Sequence, residues 1–288
     1  VGVVKVKVEH YMSYPVVTAA PRDNLARVRN LMLRYKVGHI VIAEEEKPQG
    51  IISERDFVKL LYNRKWLSKP LTDILAQDIM SKPVYATLPT RRVVYVAKKM
   101  LEKNVGSIVV VKDSASMKIA GIVTKTDLAR AYAENFEGVL KAGSYCEKSV
   151  LLASPAHSVY YIMEGVIEGK PVVVVDGGKV VGIVSKKTVA FLSIPAQTVK
   201  KPLKLRGVAP RGVEASVKVY PAVMVSEIMN TNIVAVEPSE DLASVAHIIV
   251  RSNLDAVPVV DERENLVGIV TKTTIARALV EAGSRRIT

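Results

Sequence analysis

Four short stretches hold the residues best suited to chemistry: Ser53-Glu54-Arg55-Asp56, Thr124-Lys125-Thr126-Asp127, Ser185-Lys186-Lys187-Thr188 and Thr271-Lys272-Thr273-Thr274. A Ser or Thr that ends a strand and opens a helix is a favoured N-cap, and an acidic residue three positions on suits the positive helix end. The same arrangement can bind a ligand. Helix N-terminal amides and the capping hydroxyl attract phosphate, and a carboxylate one turn later can accept hydrogen bonds from two adjacent hydroxyls of a sugar. Capping and binding both fit an isolated copy.

Each stretch follows an apolar segment in a repeated frame. Pro21, Pro89, Pro155 and Pro238 are preceded nine residues earlier by Met12, Met80, Cys146 and Met229. Apolar residues lie 4, 7 and 11 positions after each proline, such as Leu25, Val28 and Met32, or Val93, Val96 and Met100. That spacing predicts an amphipathic helix. A β-branched run comes next (Ile40–Ile42, Ile108–Val111, Val172–Val175, Val257–Val260), followed after a polar turn by Gly50-Ile51-Ile52, Gly121-Ile122-Val123, Gly182-Ile183-Val184 and Gly268-Ile269-Val270. Two paired strands leading into a second helix are expected, so the unit reads strand, helix, strand, strand, helix. A unit of roughly 50 residues is too short to bury its apolar faces alone, and the units should pair.

These repeats resemble the cystathionine-beta-synthase (CBS) domain, in a methionine, a proline, the apolar helix and the closing Gly-[Ile/Val]-[Ile/Val]-[Ser/Thr]-x-x-Asp. The resemblance covers nearly the whole chain. It implies an α+β fold with repeats at 1–66, 67–137, 138–194 and 228–288, the first two and last two forming pseudo-twofold Bateman modules, with a connecting segment at 195–227. It also implies clefts for an adenine nucleotide (AMP, ADP or ATP, with or without Mg²⁺), a homodimer, an unidentified regulated protein partner and no catalytic domain. By the family's pattern the ribose and phosphate contacts would be Asp56, Ser53 and Arg55 in the first repeat and Asp127, Thr124 and Lys125 in the second. His39 and Ser107 would be added at the strand starts, with Val37, Gly38 and Ile51, and Val105, Gly106 and Ile122, as adenine walls. The third and fourth repeats carry Thr188 and Thr274 where the carboxylate would stand. A charged hydrogen bond is worth roughly 1.5–3 kcal/mol, so this loss weakens ribose binding on the order of ten- to a hundredfold and makes the first module the expected sensor. For His39, a surface residue without a role fits equally well.

Composition narrows the alternatives. The 288 residues carry 41 Lys and Arg against 28 Asp and Glu, net +13, which favours an anionic partner. Residues 1–140 hold 23 basic and 14 acidic side chains, and 141–288 hold 18 and 14. Six of the second half's basic residues lie in 194–227, which keeps nucleic acid as an alternative partner. Aromatic residues are only 5%, so base-stacking platforms are not evident. S-adenosylmethionine would offer the same ribose but no phosphate for the basic residues. A single cysteine, Cys146, excludes an internal disulfide, and it takes the place of a methionine, as a small core residue would. His10, His39, His157 and His247 are scattered without ligand-like spacing. Gly138–Ser144 has the outer spacing of a phosphate loop but lacks its lysine and its leading strand. No apolar run approaches a membrane span, and a cytoplasmic location is expected.

Overall fold

A computed structural model describes residues 6–63, 66, 69–192 and 223–285. Most of the basic 195–227 segment therefore lies outside the described residues. The first unit runs β1 (Thr18–Ala19), α1 (Leu25–Tyr35), β2 (His39–Glu44), β3 (Lys47–Ser53) and α2 (Glu54–Tyr62). A short α3 (Ala76–Ile79) leads into the second unit: β4 (Ala86–Thr87), α4 (Val93–Glu102), β5 (Ser107–Val111), β6 (Ile119–Thr124) and α5 (Lys125–Asn135). The third, after α6 (Ala142–Tyr145), comprises β7 (Leu151–Ala153), α7 (Val159–Glu168), β8 (Val172–Asp176), β9 (Lys179–Val184) and the short α8 (Lys186–Ala190). The last follows α9 (Val225–Ile228) with α10 (Leu242–Arg251), β10 (Ala256–Val260), β11 (Leu266–Thr271) and α11 (Lys272–Arg285). In the first three units a short strand runs parallel to the middle strand, whose other edge pairs antiparallel with the third. In the fourth a single parallel bridge, Val236 to Val259, takes the place of the first strand.

Local chemistry accounts for the elements. The predicted helix after Pro21 is α1: Asn24 caps it by accepting the Arg27 N–H, and Leu25, Val28 and Met32 face inward. It ends at Lys36, whose φ of 53° is left-handed. The β-branched runs form the middle strands, with Ile40, Val41 and Ile42 fully buried.

Two kinds of contact join the units. Strand edges exchange between the first and second units, where Ser13 bridges Ile122 and Ile51 bridges Ser81, and between the third and fourth, where Glu147 bridges Ile269 and Ile183 bridges Asn230. The repeated Met and Gly meet at these crossings. A Cβ on Gly50 would lie 2.4 Å from Met80 Sδ, and Gly121, Gly182 and Gly268 stand in the same relation to Met12, Met229 and Cys146. Only glycine admits the sulfur-bearing side chain of the facing unit, and the half-buried Cys146 packs against the core there.

Helices supply the second contact. Phe57 and Val58 of α2 share a core with Ile162 and Met163 of α7 and Val189 of α8. Leu128 and Tyr132 of α5 share another with Val245 and Ile249 of α10 and Leu279 of α11. The first unit thus lies on the third and the second on the fourth. The first two units therefore pack face to face on the last two inside one chain.

Candidate functional site

The N-termini of α2, α5 and α11, together with the start of α8, converge on one cavity of about 590 Å³. That size suits a small organic ligand. The first helical residues are Glu54, Lys125, Lys186 and Lys272, and all four line the cavity. Cation side chains at helix N-termini oppose the macrodipole, so their gathering here signals an anion. In all, eight Lys and Arg residues against three Asp and Glu form the wall.

The electrostatic cost is visible in individual groups. His39 is held down to about 3, by burial first and then by the charges of Lys186, Lys272, Lys125 and Arg55, so its imidazole is neutral at pH 7. It packs against the second unit: a Cβ on Gly106 would come within 2.7 Å of its Nε2. Lys125 is lowered to about 8, again by burial first, then by Lys186 and Arg55, while its Nζ donates to Thr273 Oγ1 at 2.9 Å. Arg55 crosses toward Gly169 of the third unit, where φ is +85° and a Cβ would meet its Nη2 at 2.5 Å. Gly169 therefore meets two demands at once: the left-handed end of α7 and room for a guanidinium. Asp255 is buried, which raises its carboxyl, but Lys272 at 2.9 Å and the charge of Lys186 outweigh burial and hold it low. Burial and the Asp255 charge push Glu54 up.

The two expected carboxylates adopt one arrangement. The N–H and hydroxyl of Ser53 both donate to Asp56 Oδ2 at 2.8 Å, and those of Thr124 donate to Asp127 Oδ2 at 2.8 and 2.7 Å. This satisfies the cap with one oxygen. Asp127 Oδ1 is held more loosely, by Ser13 Oγ and Arg130 Nη2 at 3.4 Å each, and Asp56 Oδ1 by Ser81 Oγ at 3.5 Å. Burial raises the Asp127 carboxyl, against the lowering effect of the Thr124 bonds.

Grouping does not follow the repeats. Val37, Gly38 and His39 of the first unit line the cavity together with Ile122, Thr124, Lys125 and Asp127 of the second, alongside Arg55 and Gly106. A cleft is thus composite, with one unit giving the apolar wall and its partner the carboxylate. Asp56, Ser53 and Ile51 lie on the pseudo-symmetric side, where Ile51 pairs with Ser81. Val105 is half-buried at the end of α4, and Ser107 is buried opposite Thr124 on the paired strands. Neither is in the wall of this cavity.

Lys186 and Lys272 were missed by reading each unit alone; the signal was the basic residue directly after the Ser or Thr in three of four units. A second omission is Glu147. In the fourth unit Thr274 replaces the carboxylate, yet its Oγ1 donates to Glu147 Oε1 at 3.0 Å, and Arg277 pairs with the same oxygen. Glu147 stands where Ser13 stands in the first unit, so carboxylate and hydroxyl have exchanged walls.

The family model for the CBS domain matches residues 8–63, 76–134 and 225–281, more than half of the chain. The chain belongs to the CBS domain family. A relative, protein MK0525 from Methanopyrus kandleri, is 32% identical over 114 residues, 39% of this chain and 56% of that protein, so the match spans only about half of that relative's length. Protein MJ1225 from Methanocaldococcus jannaschii is 22% identical over 91% of this chain and 94% of its own. Its crystal structure, described as that of a candidate archaeal homologue of γ-AMPK, superposes with a TM-score of 0.76 at 20% identity over 95% of this chain and 99% of that one. A conserved protein from Pyrococcus horikoshii gives a TM-score of 0.62, also at 20% identity, over 96% and 100%. Both share the fold. Among the described residues no group of three or more His, Cys, Asp or Glu could hold a metal ion, and no helix is long and apolar enough to cross a membrane.

Proposed function

We propose that this CBS protein is a non-enzymatic regulatory sensor of adenine nucleotides. In this reading it has four CBS repeats in two modules, divided at 1–66, 67–137, 138–194 and 228–288. The third repeat, which the family model does not match, keeps the element order of the others but has a short α8. The observation that carries the reading is that Asp127, with one oxygen loosely held, opens into the same cavity as Arg55, Lys125 and the neutral His39. A carboxylate for ribose hydroxyls beside a cationic floor for phosphate, with Val16, Val17 and Val37 as apolar wall for the base, matches an adenine nucleotide part by part. The excess of cations favours a phosphate-bearing ligand over S-adenosylmethionine. Much of it also faces this cavity, which favours a nucleotide over nucleic acid.

Isothermal titration with AMP, ADP and ATP tests the proposal. Sub-millimolar binding that falls ten- to a hundredfold in Asp127→Ala is expected from the loss of a charged hydrogen bond. No binding of any of the three, or binding untouched by Asp127→Ala together with Asp56→Ala, would refute it.

A further inference from the structure

Three positions recur together in every unit: the residue of the facing strand edge, the third residue of the second helix and the residue three further on. For the second unit they are Ser13, Asp127 and Arg130, with the hydroxyl and the guanidinium each 3.4 Å from Asp127 Oδ1. For the first they are Ser81, Asp56 and Lys59, at 3.5 and 4.0 Å from Asp56 Oδ1. A hydroxyl, a carboxylate and a cation thus stand together in both. For the fourth unit the same positions hold Glu147, Thr274 and Arg277. Thr274 Oγ1 donates to Glu147 Oε1 at 3.0 Å, and Arg277 pairs with the same oxygen. The set is complete, with its carboxylate on the opposite wall. For the third unit the positions hold Asn230, Thr188 and Phe191, which supply neither carboxylate nor cation, and Phe191 turns to Phe57 with ring centroids 5.8 Å apart. Asp255 also lines that cleft, but Lys272 engages it at 2.9 Å.

The longer side chain of glutamate makes the exchange workable. From the facing edge it carries the carboxylate back to the helix start, where Thr271 Oγ1 at 3.4 Å and Thr274 Oγ1 both reach Oε1. Thr274 takes over the cap, accepting the Thr271 N–H at 3.1 Å as Asp127 Oδ2 accepts that of Thr124. Every described donor to Glu147 meets Oε1, so Oε2 keeps its lone pairs, and the side chain is 33% exposed. It lies one hydrogen bond behind Thr271, which lines the cavity together with Gly169, Lys170 and Pro171 of the third unit. Val150 and Leu151, both half-buried, hold the positions that Val16 and Val17 hold beside Asp127.

We infer that Glu147 is a sugar-recognition residue: its Oε2 accepts the two adjacent ribose hydroxyls of a ribonucleoside in a cleft between the third and fourth units, which the helix pattern, with threonine at 274, leaves without an acid. This rests on the nucleotide reading above and extends it from two clefts to three. A carboxylate offers only acceptor sites, and an oxygen occupied by the protein leaves the other to two hydroxyl donors, the same division that Asp127 and Asp56 show. The third unit's cleft, with an amide, a hydroxyl and an aromatic ring at these positions, has no such acceptor and stays outside the set.

Equilibrium dialysis of the full chain against labelled AMP tests the inference by counting sites, with 2′-deoxy-AMP as the probe of the diol. Wild type is expected to bind about three AMP per chain, one for each cleft with a carboxylate. Asp56→Ala with Asp127→Ala should weaken two of these sites about ten- to a hundredfold, the loss of a charged hydrogen bond, and leave one. The remaining site should disfavour 2′-deoxy-AMP by about tenfold or more and be lost when Glu147→Gln is added. If the glutamine chain does not fold without its Arg277 pair, the exchanged chain, Glu147→Ser with Thr274→Asp, replaces it: the carboxylate returns to the helix and the site should be kept. Loss of all AMP binding in the double aspartate variant, a remaining site indifferent to the 2′-hydroxyl or to Glu147→Gln, or an exchanged chain without that site overturns the inference and leaves the nucleotide reading standing. A wild-type chain that binds no AMP, ADP or ATP overturns that reading and this one with it.

Discussion

Replacing Lys125 by methionine should stabilise the empty protein. Its ammonium is lowered from 10.5 to about 8, by burial first and then by the charges of Lys186, Arg55 and Arg277. At about 1.36 kcal/mol per pH unit, holding this lysine charged at pH 7 costs the folded state about 3 kcal/mol. Methionine fills a similar volume without charge. The hydrogen bond to Thr273 is lost, worth about 1 kcal/mol, which leaves a net gain of about 2 kcal/mol. For a chain of this size that raises Tm by roughly 4 °C. The sign reverses with pH. Because the folded value lies below the unfolded one, the unfolded chain binds more protons between pH 8 and 10.5, so wild-type stability rises across that window. The gap to Lys125→Met should be full below pH 8, and above 10.5, where the charge cost is gone, wild type should be the more stable by the about 1 kcal/mol of the Thr273 hydrogen bond. Urea and thermal unfolding in phosphate-free buffer at pH 7, 9 and 10.5 read this directly. Saturating ATP should reverse the order, since the wild-type lysine then has its anion. A methionine variant less stable than wild type at pH 7 without ligand would refute the account of Lys125 as a charge held in waiting.

Two other outcomes follow from the same geometry. His39 is neutral when folded, at about 3 against 6.5 when free, so its contribution to stability is present above pH 6.5 and lost as pH falls toward 3. By pH 5 wild type should have lost about 2 kcal/mol relative to His39→Gln, measured as the difference between their urea-unfolding profiles, and parallel profiles would count against it. Thr274→Asp restores the sequence pattern but sets a second carboxylate beside Glu147, whose Oε1 is 3.0 Å from the fully buried Thr274 hydroxyl. It should destabilise the fold by about 1–3 kcal/mol at neutral pH, and Glu147→Ser in the same chain should recover most of the loss. A single variant as stable as wild type would contradict the exchange of walls.

The sequence made the units legible because their determinants are local. A stripe at Leu25, Val28 and Met32 specifies a helix, and a run such as Ile40–Ile42 specifies a buried strand, whatever lies opposite. Ser53 with Asp56 and Thr124 with Asp127 were also readable, since a cap spans only three residues. What was hidden depends on which surfaces meet. The wall of the Asp127 cleft comes from Val37 and Gly38, about 90 residues earlier, because strand edges exchange between units. Nothing local to Lys186 indicates that it will lie beside His39. The Glu147 exchange is likewise invisible along the chain: a missing Asp at 274 reads as a lost carboxylate until the facing strand is in place.

The enclosure of both modules in one chain has a consequence for symmetry. Two identical chains packed face to face would present every central residue twice, so a lone histidine or a lone acidic helix start could not exist at their junction. Here the four equivalent helix starts are Glu54, Lys125, Lys186 and Lys272, and the four equivalent strand approaches are Gly38, Gly106, Lys170 and Asp255. Covalent fusion frees each quadrant to diverge. One fourfold-repeated fold can then carry a different side chain in each quadrant of the cavity, which gives the cavity a direction that a symmetric assembly cannot have.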